Sequence, residues 1–384
     1  MRDLGRRVEA PGQLWKLGVV LLSLLTAACS TSPDAHPFDT TLSNELATLG
    51  FDSQSILVPF ELSDEMIQWA QEAVPQAVPK DQKVDRLLEA LVSLEGLNLE
   101  YKADYTGTAR EVFEQRKANC LSFTHLFVAM ARALQMEAYF LMVDEVQTFA
   151  REGDLVIRAG HITAAAGPSH EPKILEFSEL PGADYRRVSR ISDRRAVALF
   201  YSNRGAEKLR AEEIGEAIWW LERAAAIDPL VADTWVNLGV ARRWQGEMEL
   251  SEASYRRALE IDVDTVAAYH NLAALYRHQG EEDAVRQLLA LADRRGNRNP
   301  FTYLELGDLS LRKGDLQSAE RFYRRALNLD SDIAPIHAAL GQVALSNGNT
   351  RGARRWLKHA RRLDPEDRRT LRLDHQLNAR QAER

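Results

Sequence analysis

The chain has 384 residues, 45% of them hydrophobic and 27% charged, enough to bury a full core and to build two folded domains. Its formal net charge of -7 sets it apart from proteins that bind nucleic acid through a basic domain, and no phosphate-loop or zinc-finger spacing occurs. There are only two cysteines, Cys29 and Cys120, too few for a disulfide framework.

The first element is an export signal. Arg2, Arg6, Arg7 and Lys16 precede the apolar run LGVVLLSLLTAA, which stops at Cys29. A run of about 12 apolar residues is too short to span a bilayer and suits a signal-peptide core. The stretch LLTAAC resembles the bacterial lipobox, with Thr26 where Leu is usual and Ala27, Ala28 and Cys29 in their expected places. That resemblance implies cleavage after residue 28, lipid on Cys29 and attachment to a membrane. Ser30 after the cysteine implies outer-membrane sorting, with the protein facing the periplasm. A plain signal peptide cut near Ala28 is the competing reading. With Cys29 lipidated, Cys120 would have no partner for an intramolecular disulfide.

Residues 29–41, polar and rich in Ser, Thr, Asp and Pro, read as a tether, and a first folded domain is expected over 42–190. SDEMIQWAQEAV and KVDRLLEALVSLEG carry apolar residues at helical spacing, with Ser63 placed as a cap. TAREVFEQR and LSFTHLFVAMARALQ follow as helices, the second opening at Cys120. Three strand-like runs come next, EAYFLMVDEV, DLVIRAGHITAAA and PKILEFSEL. Helices followed by hairpin-linked strands predict an α+β domain with an antiparallel sheet.

Beyond residue 190 a period of 34 appears. Gly205, Gly239, Ala273, Gly307 and Gly341 keep that interval, as do Ala224, Ala258, Ala292, Ala326 and Ala360. Trp235, Leu238, Gly239, Tyr255 and Ala258 complete a pattern that resembles the tetratricopeptide repeat. Five units are read over 198–365, and the polar stretch 366–384 as a capping helix. From Arg351 to Arg384 there are 11 basic and 5 acidic residues, read first as a solvated cap and second as a membrane or partner patch. Stacked repeats form a concave groove that takes a peptide or helix, so a protein or peptide partner is expected there. Asn203, Asn237 and Asn271 recur at the sixth position of the first three units, where their amides could grip an extended peptide. Asn is equally a residue that such repeats commonly carry. Arg243, Trp244, Arg277 and His278 would give the groove a basic and aromatic lip, and Glu305 ends the Asn series.

Cys120 is the candidate nucleophile. A helix N-terminus stabilises negative charge, so a thiol there can ionise below its usual value of about 8.5. Taken alone, Cys120 is better read as a buried, inert thiol. Among nine histidines, His125 sits about 140° around the same helix, and His161, in the second strand run, remains as the base. Glu176, in the third run, could orient the imidazole across an antiparallel ladder. The order Cys120, His161, Glu176, at intervals of 41 and 15 residues, together with TAREVFEQRKANCLSFTHLFVAMARALQMEAYFLMV, resembles the transglutaminase-like superfamily. That resemblance implies a papain-like fold and a Cys-His-Asp triad, with Glu176 in place of Asp and Ala118 in place of a common Gly. It also implies thiol acyl chemistry on a protein or peptide, without metal or cofactor. The Cys120 main-chain N–H would meet the oxyanion, with Gln115 or Tyr105 as second donor. The competing reading is a scaffold lipoprotein that keeps the fold without the activity.

Overall fold

The computed structural model describes residues 37–52, 55–152, 155–167, 172–175, 188–281, 283–285, 287–288, 291 and 300–382. By packing, the chain divides into Met1–Thr41 and Leu42–Arg384. The first helix, α1 (Pro37–Thr48), begins inside the stretch read as a tether, and Leu42 and Leu46, one turn apart, are buried.

Helices α2 (Asp64–Ala73) and α3 (Lys83–Val92) lie where the apolar spacing places them. Ser63 caps α2 by accepting from the Met66 N–H, and Met66, Ala70, Val84, Leu87 and Leu91 supply the buried faces. Helix α4 (Ala109–Gln115) opens on a capping box. Thr108 accepts from the Glu111 N–H, and the Glu111 carboxylate accepts from the Thr108 N–H. Arg116, in the left-handed region at φ 57°, ends α4 and turns the chain into a short parallel pairing of β1 (Glu100–Tyr101) with β2 (Lys117–Ala118).

Helix α5 (Cys120–Ala133) follows directly. It is buried on every side, Leu121 to Val128 without a break, so it forms the centre of the α+β region. The helix packs on two strands of a four-stranded antiparallel sheet with spatial order β5-β4-β3-β6. These are β3 (Ala138–Glu152), β4 (Leu155–Ala166), β5 (Lys173–Leu175) and β6 (Val188–Ile191). The three strand runs expected from sequence are β3, β4 and β5. The fourth, β6, pairs Phe140 with Ile191 and delivers the chain to the next helix.

That helix, α6 (Asp193–Arg210), starts five residues before the first repeat unit as read from sequence. Ser192 caps it. After it the helices run in antiparallel pairs: α7 (Ile214–Ile227), α8 (Ala232–Gln245), α9 (Met248–Ile261) and α10 (Val266–Gln279). Then come α11 (Pro300–Arg312), α12 (Leu316–Leu329), α13 (Ala334–Ser346), α14 (Thr350–Leu363) and α15 (Arg368–Ala382). The period-34 glycines mark close helix approach. A Cβ on Gly239 would lie 2.5 Å from the Tyr255 ring, and one on Gly307 would lie 2.3 Å from the Tyr323 ring. Helix α15 packs on α13 and α14 through Leu373 and Leu377 and closes the end of the stack. No described helix is long and apolar enough to cross a membrane.

Helix α6 belongs to both regions. One side pairs with α7, where Gly205 meets Leu221. On the other, Asp193 takes both guanidinium nitrogens of Arg132 from α5 at 3.1 Å each, and the Tyr201 hydroxyl accepts from the Leu57 N–H at 2.7 Å. Strand β4 packs in addition on α8 and α10, inner helices of the second and third repeat units.

Candidate functional site

The cysteine stands at the first residue of α5. Asn119 before it is extended (φ -88°, ψ -178°), and its Oδ1 accepts from the Ser122 N–H at 2.9 Å, so the helix is capped one residue ahead of the thiol. Cys120 is half-buried and not in a disulfide. The Thr124 hydroxyl donates to the Cys120 carbonyl at 2.7 Å, which ties the first turn to the second.

The loop 105–108 lies against this helix start. The Asn119 Nδ2 donates to the Thr106 hydroxyl at 2.8 Å, and the Gly107 N–H donates to the Ser122 hydroxyl at 2.9 Å. Residues on both sides of Cys120 are thereby bonded to one loop. Gly107 carries no side chain where a Cβ would lie 2.8 Å from the Tyr105 ring and hydroxyl. The Tyr105 hydroxyl is buried without a hydrogen bond, and burial pushes its pKa up to about 12, so it stays protonated as a donor. Gln115, the other oxyanion candidate, is exposed.

His161 has its main chain in β4, in register with Val143, on a strand that packs against α5. The side chain of His161 lies outside the described residues, as do Glu176 and Cys29 in full. His125 belongs to the core. It is fully buried among Phe60, Phe140 and Phe200, with ring centroids 5.7, 5.6 and 6.1 Å away. Neither ring nitrogen makes a hydrogen bond of good geometry, although the Ala196 main chain approaches. Burial outweighs that approach and lowers its pKa to about 3, so it is neutral at physiological pH.

Of the three repeat asparagines, Asn203 is half-buried while Asn237 and Asn271 are 1% and 0% exposed. Their helices, α8 and α10, are the ones that β4 packs on. Asn237 Oδ1 is buried without a hydrogen bond. Glu305, which ends the Asn series, lies 2.8 Å from the His270 ring. Further along, a cavity of about 590 Å³ opens between α11, α13 and α15, rimmed by Arg312, Gln342, Arg368 and Arg372. Its carboxylate Asp308 is taken up by Arg369, at 2.8 and 2.6 Å, and by the Tyr323 hydroxyl. Among the described residues no group of three His, Cys, Asp or Glu is placed to hold a metal ion.

Sequence patterning passed over Thr106, Tyr201, Arg204 and Glu207. A signal was present: α6 is buried on every side from Ala196 to Ser202 and then carries Arg204 and Glu207 three residues apart, polar groups that need a partner wherever that face is covered.

A family profile described as the transglutaminase-like superfamily matches residues 67–161, and two tetratricopeptide-repeat profiles match 232–264 and 310–373. Tetratricopeptide repeat-containing protein trd-1 of Caenorhabditis elegans is 26% identical over 122 residues, which are 32% of this chain and 16% of that protein. Among solved structures, that of Pseudomonas aeruginosa pilF is 21% identical, covering 48% of this chain and 85% of its own at a TM-score of 0.38. TTC0263, a thermophilic TPR protein of Thermus thermophilus, is 21% identical, with 47% and 97% covered and a TM-score of 0.35. YrrB, called a TPR protein with an unusual peptide-binding site, is 14% identical, with 46% and 92% covered and a TM-score of 0.32. The cysteine-headed helix packed on an antiparallel sheet, and the antiparallel helix pairs that follow, thus make this chain a transglutaminase-like domain fused to tetratricopeptide repeats.

Proposed function

We propose that the protein is a lipid-anchored cysteine acyltransferase or hydrolase of the cell envelope, acting on a protein or peptide that the repeats help to recruit. The observation that carries the reading is the place of Cys120, half-buried at the capped first turn of α5, where the helix dipole favours a thiolate. In the proposed cycle His161 takes the thiol proton and the thiolate adds to an amide carbonyl. The C–N bond then breaks as the amine leaves with that proton, and water or a second amine resolves the thioester. Glu176 would hold the imidazole, and the Cys120 N–H, with Tyr105 as second donor, would meet the oxyanion.

Labelling of Cys120 with iodoacetamide as a function of pH tests this. If the thiol titrates near 6, its net advantage over an ordinary thiol at that pH is about tenfold, because the gain in thiolate outweighs its lower nucleophilicity. His161→Ala is expected to remove that advantage. An ordinary thiol profile unaffected by the substitution would leave the second reading, a scaffold with an inactive site. Tyr105→Phe, which deletes one hydroxyl, is expected to spare this labelling.

The anchor is proposed at Cys29, followed by a tether into α1, which places the chain at the outer membrane facing the periplasm. Incorporation of labelled palmitate that is lost in Cys29→Ser checks it; equal incorporation in the two chains would remove the anchor from the proposal. Asn203, Asn237 and Asn271 remain candidates for peptide binding. Asn237 and Asn271 are buried, so a partner could reach them only after a rearrangement, whereas the arginine-rimmed cavity at the far end is open.

A further inference from the structure

The cap ahead of Cys120 depends on the orientation of one amide. The Asn119 Oδ1 must face the Ser122 N–H and its Nδ2 must face Thr106; reversed, two N–H groups would oppose each other. Thr106 enforces this. Its hydroxyl accepts from Asn119, so its single proton is left for another acceptor, and the carboxylate that approaches is Glu207 of α6. The Thr106 carbonyl in turn accepts from Arg204 Nη1 at 3.0 Å, and the Arg204 guanidinium lies 5.5 Å from the centre of the Trp220 ring. Thr106 is 1% exposed and Asn119 5%, so water does not replace these partners. Arg204 and Glu207 are one turn apart on the helix that opens the repeats.

We propose that Arg204 and Glu207 are positioning residues of the cysteine site: the first repeat helix holds Thr106, Thr106 fixes the Asn119 cap, and the cap sets the turn that presents Cys120. The repeats then complete the site as well as recruit to it, since β4, which carries His161, also packs on α8 and α10. This inference rests on Cys120 as the nucleophile. The charged groups that face the loop are Arg204, Glu207 and Arg210 from α6, with Glu111 and Glu114 from α4.

The test uses the full chain and the pH profile of Cys120 alkylation by iodoacetamide. Compared are the unaltered protein, Arg204→Met, Arg204→Lys, Glu207→Met and, as control, Lys208→Gln, whose ammonium pairs with Glu213 and Glu216. Loss of the cap is expected to raise the midpoint by about half a pH unit in Arg204→Met and Glu207→Met, slowing alkylation about twofold at pH values below the midpoint, where the lost thiolate outweighs the gain in nucleophilicity. Arg204→Lys, which keeps a donor for the Thr106 carbonyl, should recover most of the rate, and Lys208→Gln should match the unaltered chain. Thermal melts identify any variant that fails to fold; Glu207→Met, close in size to the original and without an acceptor for the Thr106 hydroxyl, keeps the comparison available. A depressed midpoint in the unaltered protein that persists in both folded variants overturns the positioning role alone. An ordinary midpoint in the unaltered protein overturns the nucleophile, while a shift in the variants would still show that α6 holds the loop.

Discussion

Arg132→Met is expected to destabilise the protein by about 3 kcal/mol, the lower end of the range for breaking a buried ion pair. Arg132, in the last turn of α5, meets both oxygens of Asp193 at the start of α6, donates through Nε to the Ala138 carbonyl at 2.8 Å, and lies 5.4 Å from the Phe140 ring centre. Both side chains are 17% exposed. Burial outranks the mutual attraction for each group, pulling the guanidinium below its ordinary pKa and holding the Asp193 carboxyl above its own. Removing one partner therefore strands a charge in a poorly solvated seam. The double replacement Arg132→Met with Asp193→Leu should regain much of the loss, because no charge then remains to be desolvated. Urea unfolding of the two single variants and the double variant completes the cycle. If the two single losses simply add, the pair is not coupled.

Acid should act on the fold through His125. Its folded pKa of about 3 lies below the ordinary value of 6.5, so the unfolded chain takes up the proton first. The stability tied to neutral His125 is complete above about pH 6.5 and declines as pH falls toward 3, reaching a loss of about 2–3 kcal/mol near pH 4.5. Carboxylates titrate in the same window, so the readout is the difference between the unaltered chain and His125→Leu, each unfolded in urea at pH 7 and pH 4.5. The variant should lose less on acidification. Identical losses would mean that the ring is already protonated in the folded protein or exposed before unfolding.

The repeats were legible because packing imposes their period: a side chain at residue 239 or 307 would run into an aromatic ring one helix away, and the 34-residue interval records that collision. The cysteine helix was legible for a related reason, since a cap residue, a small thiol and then a mainly apolar run, LSFTHLFVAMA, state both its start and its burial. Runs rich in β-forming residues, bounded by turn residues, announced β3, β4 and β5. The short edge strand β6 carries too few residues for alternation to show, and α1 lies in a stretch whose Ser and Thr content reads as coil although Leu42 and Leu46 anchor it. The double role of α6 was hidden for a deeper reason. Periodicity reports that a face is covered but not by which distant segment, so Arg132 with Asp193 and Thr106 with Arg204, 61 and 98 residues apart, leave no mark on local pattern.

Because α6 is spent on both neighbours, the boundary near residue 190 is no hinge at which the chain can be divided. Freed from the repeats, the α+β half would bare His125, whose ring meets Phe200; freed from the α+β half, the repeats would bare Phe200 and Tyr201. A foreign repeat array grafted onto this cysteine domain would have to bring that same stripe with it, so the two parts are bound to change together.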